Sequence, residues 1–110
     1  MKNSEFITGD VPITKEEVRA ISINKLNLKD KKTFLDIGAG TGSVSIEVAY
    51  NYPNIEVISI ECKDKAIDLI NQNIEKFNLD NVKVLKGYAP LDIGKKVDSI
   101  FIGGSGPNLK

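Results

Sequence analysis

Phe34-Leu35-Asp36-Ile37-Gly38-Ala39-Gly40-Thr41-Gly42-Ser43 (FLDIGAGTGS) runs an apolar stretch into three alternating glycines and opens onto Val44-Ser45-Ile46-Glu47-Val48-Ala49-Tyr50. Residues 33–37 read as a short strand, and residues 43–50 as a helix with Val44, Ile46 and Val48 available for packing. Strand, glycine turn, helix is an arrangement that cradles a ligand. The glycines let the chain turn sharply, and the helix start points free amides outward. Asp36, two residues ahead of the first glycine, narrows the choice. A carboxylate there would repel a diphosphate but suit a ligand carrying an ammonium or sulfonium group.

Working outward, Thr14-Lys15-Glu16-Glu17 fits a capping box and predicts a helix over about 15–26, with Val18, Ile21 and Leu26 as its apolar stripe. Residues 54–60 (NIEVISI) read as a second strand closed by Glu61. Residues 64–77 read as a helix with Ile67, Ile70, Ile74 and Phe77 at spacings of three and four. Residues 81–85 and 97–102 give a third and a fourth strand, and between them there is room only for a brief helix near Pro90 to Gly94. Asp98 is expected to fix the start of the fourth strand or to face solvent. Strands alternating with helices predict an α/β fold, a Rossmann-like parallel sheet with helices on both faces. Only the first four strands are present, so residues 1–110 read as a single, truncated domain.

The composition supports a globular chain: of 110 residues, 41% are hydrophobic and 27% charged, enough for an ordinary core. Fifteen basic residues balance fifteen acidic ones, so no basic stripe argues for nucleic acid and no cationic face for a membrane. The start lacks a signal-peptide core and no apolar run could span a bilayer, so the expected location is cytoplasmic. The single cysteine, Cys62, has no internal disulfide partner, in keeping with a reducing compartment. Beside Glu61 its thiol is a poor nucleophile. With no histidine, imidazole-run catalysis and histidine-ligated metals are excluded. No metal site is expected, and no catalytic residue is assigned.

The glycine spacing discriminates between nucleotides. The nicotinamide and flavin fingerprint would put its third small residue at Ser43, whereas the third glycine here is Gly42. S-adenosylmethionine fits better, since its methionine end offers the cationic groups that Asp36 would favour and its nucleoside can extend along the strand ends. Glu61, nineteen residues after Gly42, closes the second strand where a carboxylate accepts bonds from both ribose hydroxyls. The loop Lys86-Gly87-Tyr88-Ala89-Pro90 follows the third strand where an adenine would lie, and Tyr88 could stack on it. Gly103, Gly104 and Ser105 leave the fourth strand beside the switch point and border the reaction centre. Lys15 and Arg19 are candidates, on charge alone, to pair with substrate carboxylates. Thr14 is either a helix cap or a cofactor contact.

At this point the chain resembles the class I S-adenosylmethionine-dependent methyltransferases, whose first motif is matched by FLDIGAGTGS. Three further stretches, Val11-Pro12-Ile13-Thr14-Lys15-Glu16-Glu17-Val18-Arg19, Gly42-Ser43-Val44-Ser45-Ile46-Glu47 and Phe101-Ile102-Gly103-Gly104-Ser105-Gly106, are similar to the decarboxylating cobalt-precorrin methyltransferases of cobalamin biosynthesis. The resemblance covers residues 6–106. It implies methylation of carbon 15 of a cobalt-precorrin tetrapyrrole with loss of carbon dioxide from an acetate side chain, and a homotetramer. The cofactor set so read is Thr14, Asp36, Gly38, Ala39, Gly40, Thr41, Gly42, Ser43, Glu61, Gly87, Tyr88 and Ala89. The substrate set is Lys15, Arg19, Gly103, Gly104 and Ser105. Tyr88 departs from the family, which usually carries an acidic residue there. Three other readings stay open: another small-molecule or RNA methyltransferase, a nicotinamide-binding oxidoreductase fragment, and a folded scaffold without activity.

Overall fold

The computed structural model describes residues 1–9, 11, 13–88 and 96–103. After a 3-10 turn at Asn3–Glu5 come α1 (Glu16–Leu26), β1 (Thr33–Ile37), α2 (Ser43–Asn51), β2 (Glu56–Glu61), α3 (Asp64–Lys76), β3 (Val82–Lys86) and β4 (Ser99–Ile102). The strands form one parallel sheet in the order β3-β2-β1-β4. The chain steps from β1 outward to β3 and then returns to the other side of β1. That reversal is the switch point where open α/β sheets hold ligands.

Alternate strand residues point to opposite faces. On one face Phe34 and Val57 pack with Ile23 and Leu26 of α1 and Val44, Val48 and Ala49 of α2. On the other, Leu35, Ile58 and Ile60 cluster with Ile37, Leu85 and Val97, without any residue of the three helices. The two right-handed crossovers step the same way along the sheet, which puts α2 and α3 on one side, where they touch each other. Among the described residues, therefore, α-helices cover one of the two faces expected to carry them. The expected turn of helix at Pro90 to Gly94 lies outside the described residues.

Local chemistry sets the element ends. Asn78 takes a left-handed φ of 52° after α3. There its own amide donates to the Glu75 carbonyl and the Leu79 amide to the Ile74 carbonyl, a Schellman closure that turns Leu79 back onto the core. Asp98 joins the starts of β1 and β4: its Oδ2 accepts from the Lys32 and Thr33 amides at 2.7 and 3.1 Å. Those amides hold its carboxyl below the usual carboxylate range.

Two expectations for α1 fail. The capping box does not form; Lys15 is the N-cap and makes no side-chain capping bond. The stripe also fails at two of its three positions, since Val18 and Ile21 are 50% and 58% exposed while Arg19 and Ile23 are buried; Leu26 alone of the three packs against the core. A charged side chain occupies the inward position, so hydrophobic spacing picks the wrong face. In α3 the buried face is Ala66, Leu69, Ile70 and Asn73, with Ile67, Ile74 and Phe77 at its margins.

Candidate functional site

The carboxyl ends of the four strands gather most of the residues singled out in the sequence. Between β1 and α2 the amides of Gly38 and Ala39 donate to the Ile60 carbonyl at 2.9 and 3.2 Å, which ties the loop to the end of β2. Glu61 reaches it from the same strand: the Gly40 amide donates to Oε1 at 2.8 Å, and the amides of Cys62 and Lys63 donate to Oε2 at 3.1 and 3.0 Å. A buried carboxylate thus grips the middle of the glycine loop through backbone amides.

Gly87 follows β3, its amide donating to the Glu61 carbonyl at 3.0 Å. Tyr88 is 66% exposed, and its hydroxyl meets the Cys62 side chain, which raises its pKa. On the other side of β1 the Gly103 amide donates to the Ile37 carbonyl at 2.9 Å. A Cβ at Gly103 would stand 3.0 Å from the Phe101 ring and 3.4 Å from the Gly38 carbonyl oxygen, so β4 ends against the start of the loop. Ala89, Gly104 and Ser105 lie outside the described residues.

Asp36 is placed differently from expectation. Its side chain is buried beneath the loop, 1% exposed, and does not open onto the mouth. Ser45 of α2 donates its hydroxyl to Oδ2 at 2.6 Å, and Ser45 is in turn 2.5 Å from the Ser59 hydroxyl of β2. Oδ1 has no hydrogen-bond partner, alone in this among the buried side-chain oxygens and nitrogens of the described residues. Burial pushes its pKa up from 3.8 to about 7; bonds from Ser45 oppose the rise and the Glu61 charge adds to it.

Arg19 is not available as a substrate contact. It is fully buried, its Nε donates to Glu47 Oε1 at 2.8 Å, and its terminal nitrogens donate to Asn3 Oδ1 and to the carbonyls of Thr14 and Met1. The guanidinium also lies 4.9 Å from the Phe6 ring centroid. Its charge is spent on tying the N-terminal segment to α2, where Glu47 also pairs with the amino terminus at 3.1 Å. Thr14 contributes its carbonyl to that tie. Lys15 is exposed at the start of α1.

Three structural residues escape sequence reasoning. Ser45 and Ser59 were visible as hydroxyls interrupting apolar runs, but nothing local said that they would meet at Asp36. Asn73 occupies the apolar face of α3 and is fully buried. Its Oδ1 accepts from the Ile7 amide at 2.7 Å, and its Nδ2 donates to the carbonyls of Ile7, Leu69 and Thr41 at 3.0, 3.1 and 3.4 Å. It links the N-terminal segment, α3 and the glycine loop.

Comparison with known proteins agrees with this fold. Residues 5–109 match the family model described as a precorrin methyltransferase domain. A curated relative from Salmonella typhimurium, named cobalt-precorrin-6B C(15)-methyltransferase (decarboxylating), is 44% identical over 110 residues, 99% of this chain and 57% of its own length. A relative from Saccharolobus solfataricus, named as a probable enzyme of the same kind, is 42% identical over 106 residues, 92% of this chain and 53% of its own. The solved precorrin-6y C5,15-methyltransferase of Geobacter metallireducens superposes with a TM-score of 0.90 at 40% identity, covering 99% of this chain and 58% of that one. The chain spans a little over half the length of the curated relatives it matches. On the family match and these identities, the chain belongs to the precorrin methyltransferase domain family.

Proposed function

We propose that these 110 residues are the cofactor-binding half of an S-adenosylmethionine-dependent methyltransferase domain that methylates carbon 15 of a cobalt-precorrin and releases carbon dioxide from an acetate side chain. The observation that carries the reading is the Glu61 grip on Gly40: a glycine loop and a carboxylate meet at the switch point of a parallel sheet, in a chain whose relatives bear that activity in their names. S-adenosylmethionine fits these residues. Gly38 to Ser43 would take its methionine end, Glu61 its ribose hydroxyls, and Gly87 and Tyr88 the adenine edge. When bound it supplies an electrophilic methyl group on a sulfonium.

What the chain contributes is placement. With no histidine in the sequence, proximity and orientation are favoured over imidazole proton transfer. Gly103, where a Cβ would stand 3.4 Å from the Gly38 carbonyl oxygen, leaves backbone and no side chain where substrate would approach the methyl group. Lys15, exposed at the start of α1, is the remaining described candidate for a substrate carboxylate. A cytoplasmic location and a homotetramer belong to the same proposal.

Photolabelling tests it. Under ultraviolet light the chain takes up label from methyl-tritiated S-adenosylmethionine; excess S-adenosylhomocysteine abolishes the uptake, and Glu61→Ala reduces it at least tenfold. Label incorporation that survives both would contradict the assignment.

A further inference from the structure

Asp36 is the buried ionisable group that the proposed reaction leaves without a task. Its carboxyl is buried with Oδ2 bonded to the Ser45 hydroxyl and Oδ1 without a partner; the Ser45 amide also favours the anion, but burial outweighs both bonds, so the arrangement is expensive for an anion and tolerable for a neutral acid. The hydroxyl pair suits both states. If Asp36 is ionised, Ser45 donates to it and Ser59 donates to Ser45. If it is neutral, the carboxyl proton is donated to Ser45, which passes its own hydrogen bond on to Ser59. The distances of 2.6 and 2.5 Å serve either direction.

The charged surroundings are one-sided. From β2, Glu61 adds a second negative charge near the loop; Ser59 is the β2 residue beside Asp36 and Phe101 its β4 neighbour. From α2 and α1, Glu47 and Arg19 are paired with each other. From α3, the residues that meet the loop are the neutral Asn73 and Ile70. No cation among the described residues is bonded to Asp36. Burial accordingly raises its pKa to about 7.

Resting on the reading that the loop binds S-adenosylmethionine, we propose that Asp36 holds a proton in the ligand-free protein and releases it to solvent when a cationic ligand settles on the loop, the Ser45–Ser59 pair reversing its hydrogen bonds to follow. The ligand need not touch the carboxyl. A positive charge within about 6 Å favours the ionised form. Asp36 is thus a positioning residue that makes the site select for positive charge, through a proton rather than a standing anion.

The proton can be read without any ligand. Carboxyl carbon-13 NMR of the aspartate-labelled chain is expected to show Asp36 titrating at a proton concentration about a hundredfold or more below that of the ordinary value of 3.8. Ser45→Ala moves that midpoint higher, because the bond that favours the ionised form is lost; a merely packing role for Ser45 would leave it in place. Calorimetry in two buffers of different ionisation enthalpy then counts protons at pH 6.5. S-adenosylmethionine releases up to about one proton and its affinity rises up to about tenfold for each unit that pH rises towards neutrality, whereas adenosine, which has neither cation, releases about none. Asp36→Asn removes the proton release and the pH slope.

An Asp36 resonance already ionised at pH 5, or equal proton release by S-adenosylmethionine and adenosine, overturns the proposal. Failure of both ligands to bind, with Asp36 still titrating near neutrality, would instead overturn the cofactor reading on which the second half rests.

Discussion

Gly42 has a φ of 81°, and a Cβ built on it would fall 2.8 Å from Cγ1 of Ile70. Both the backbone conformation and the packing of α3 against the loop therefore exclude a side chain. Gly42→Ala should cost on the order of 2 to 4 kcal/mol, seen as a lower urea midpoint at unchanged m-value. Asp36 sets a pH dependence of opposite sense to that of a salt-bridged carboxylate. Its folded pKa near 7 lies above the ordinary value of 3.8, so between these values the folded chain keeps a proton that the unfolded chain has lost. Its contribution therefore falls as pH rises from about 4 to about 7 and is flat above, a change on the order of 4 kcal/mol. Asp36→Asn should match the wild type at pH 4 and unfold at a higher temperature at pH 8. Scanning calorimetry of the two proteins checks this, and equal Tm at pH 8 would contradict it.

At the level of elements, the N-terminal segment is fastened at two buried polar points, Arg19 of α1 and Asn73 of α3. Removing Arg19 leaves Glu47, Asn3 and two carbonyls short of their donor, so Arg19→Met should cost about 3 kcal/mol or more. The Lys86–Asp64 pair is shorter, at 2.7 Å, but its side chains are 62% and 82% exposed; Lys86→Ala should leave the unfolding midpoint unchanged. Asn73→Ala should release the Ile7 amide to rapid hydrogen exchange while the amides of β2 stay protected. These fasteners also mark where sequence reading stops. The β1, glycine loop and α2 unit was legible because spacing and glycine chemistry act locally, and Asp98 because a carboxylate between strand starts finds amides nearby. The inward face of α1 was not, since Arg19 lies inward against a partner twenty-eight residues away and displaces Val18 and Ile21 to the surface. Asn73 was equally hidden, as its partner Ile7 is sixty-six residues distant.

On the scale of the whole molecule, β4 pairs only with β1 among the described residues, and Ile100 and Ile102 are 52% and 56% exposed beside that edge. An apolar strand edge is a template for association. The chain should sediment as larger species with rising concentration, and Ile100→Lys combined with Ile102→Lys should shift it toward monomer. Candidate ligand groups from β1, β2, β3 and β4 nonetheless already meet at one end of this sheet, so the site ought to recognise its nucleoside without further strands. The direct test is calorimetric titration of the chain with S-adenosylhomocysteine and, separately, with NAD, repeated on Glu61→Ala. Charged hydrogen bonds of about 1.5 to 3 kcal/mol predict that the homocysteine ligand binds, that the variant loses about tenfold or more in affinity, and that NAD gives no heat. Binding of NAD in place of S-adenosylhomocysteine, or an affinity indifferent to Glu61, would contradict the account.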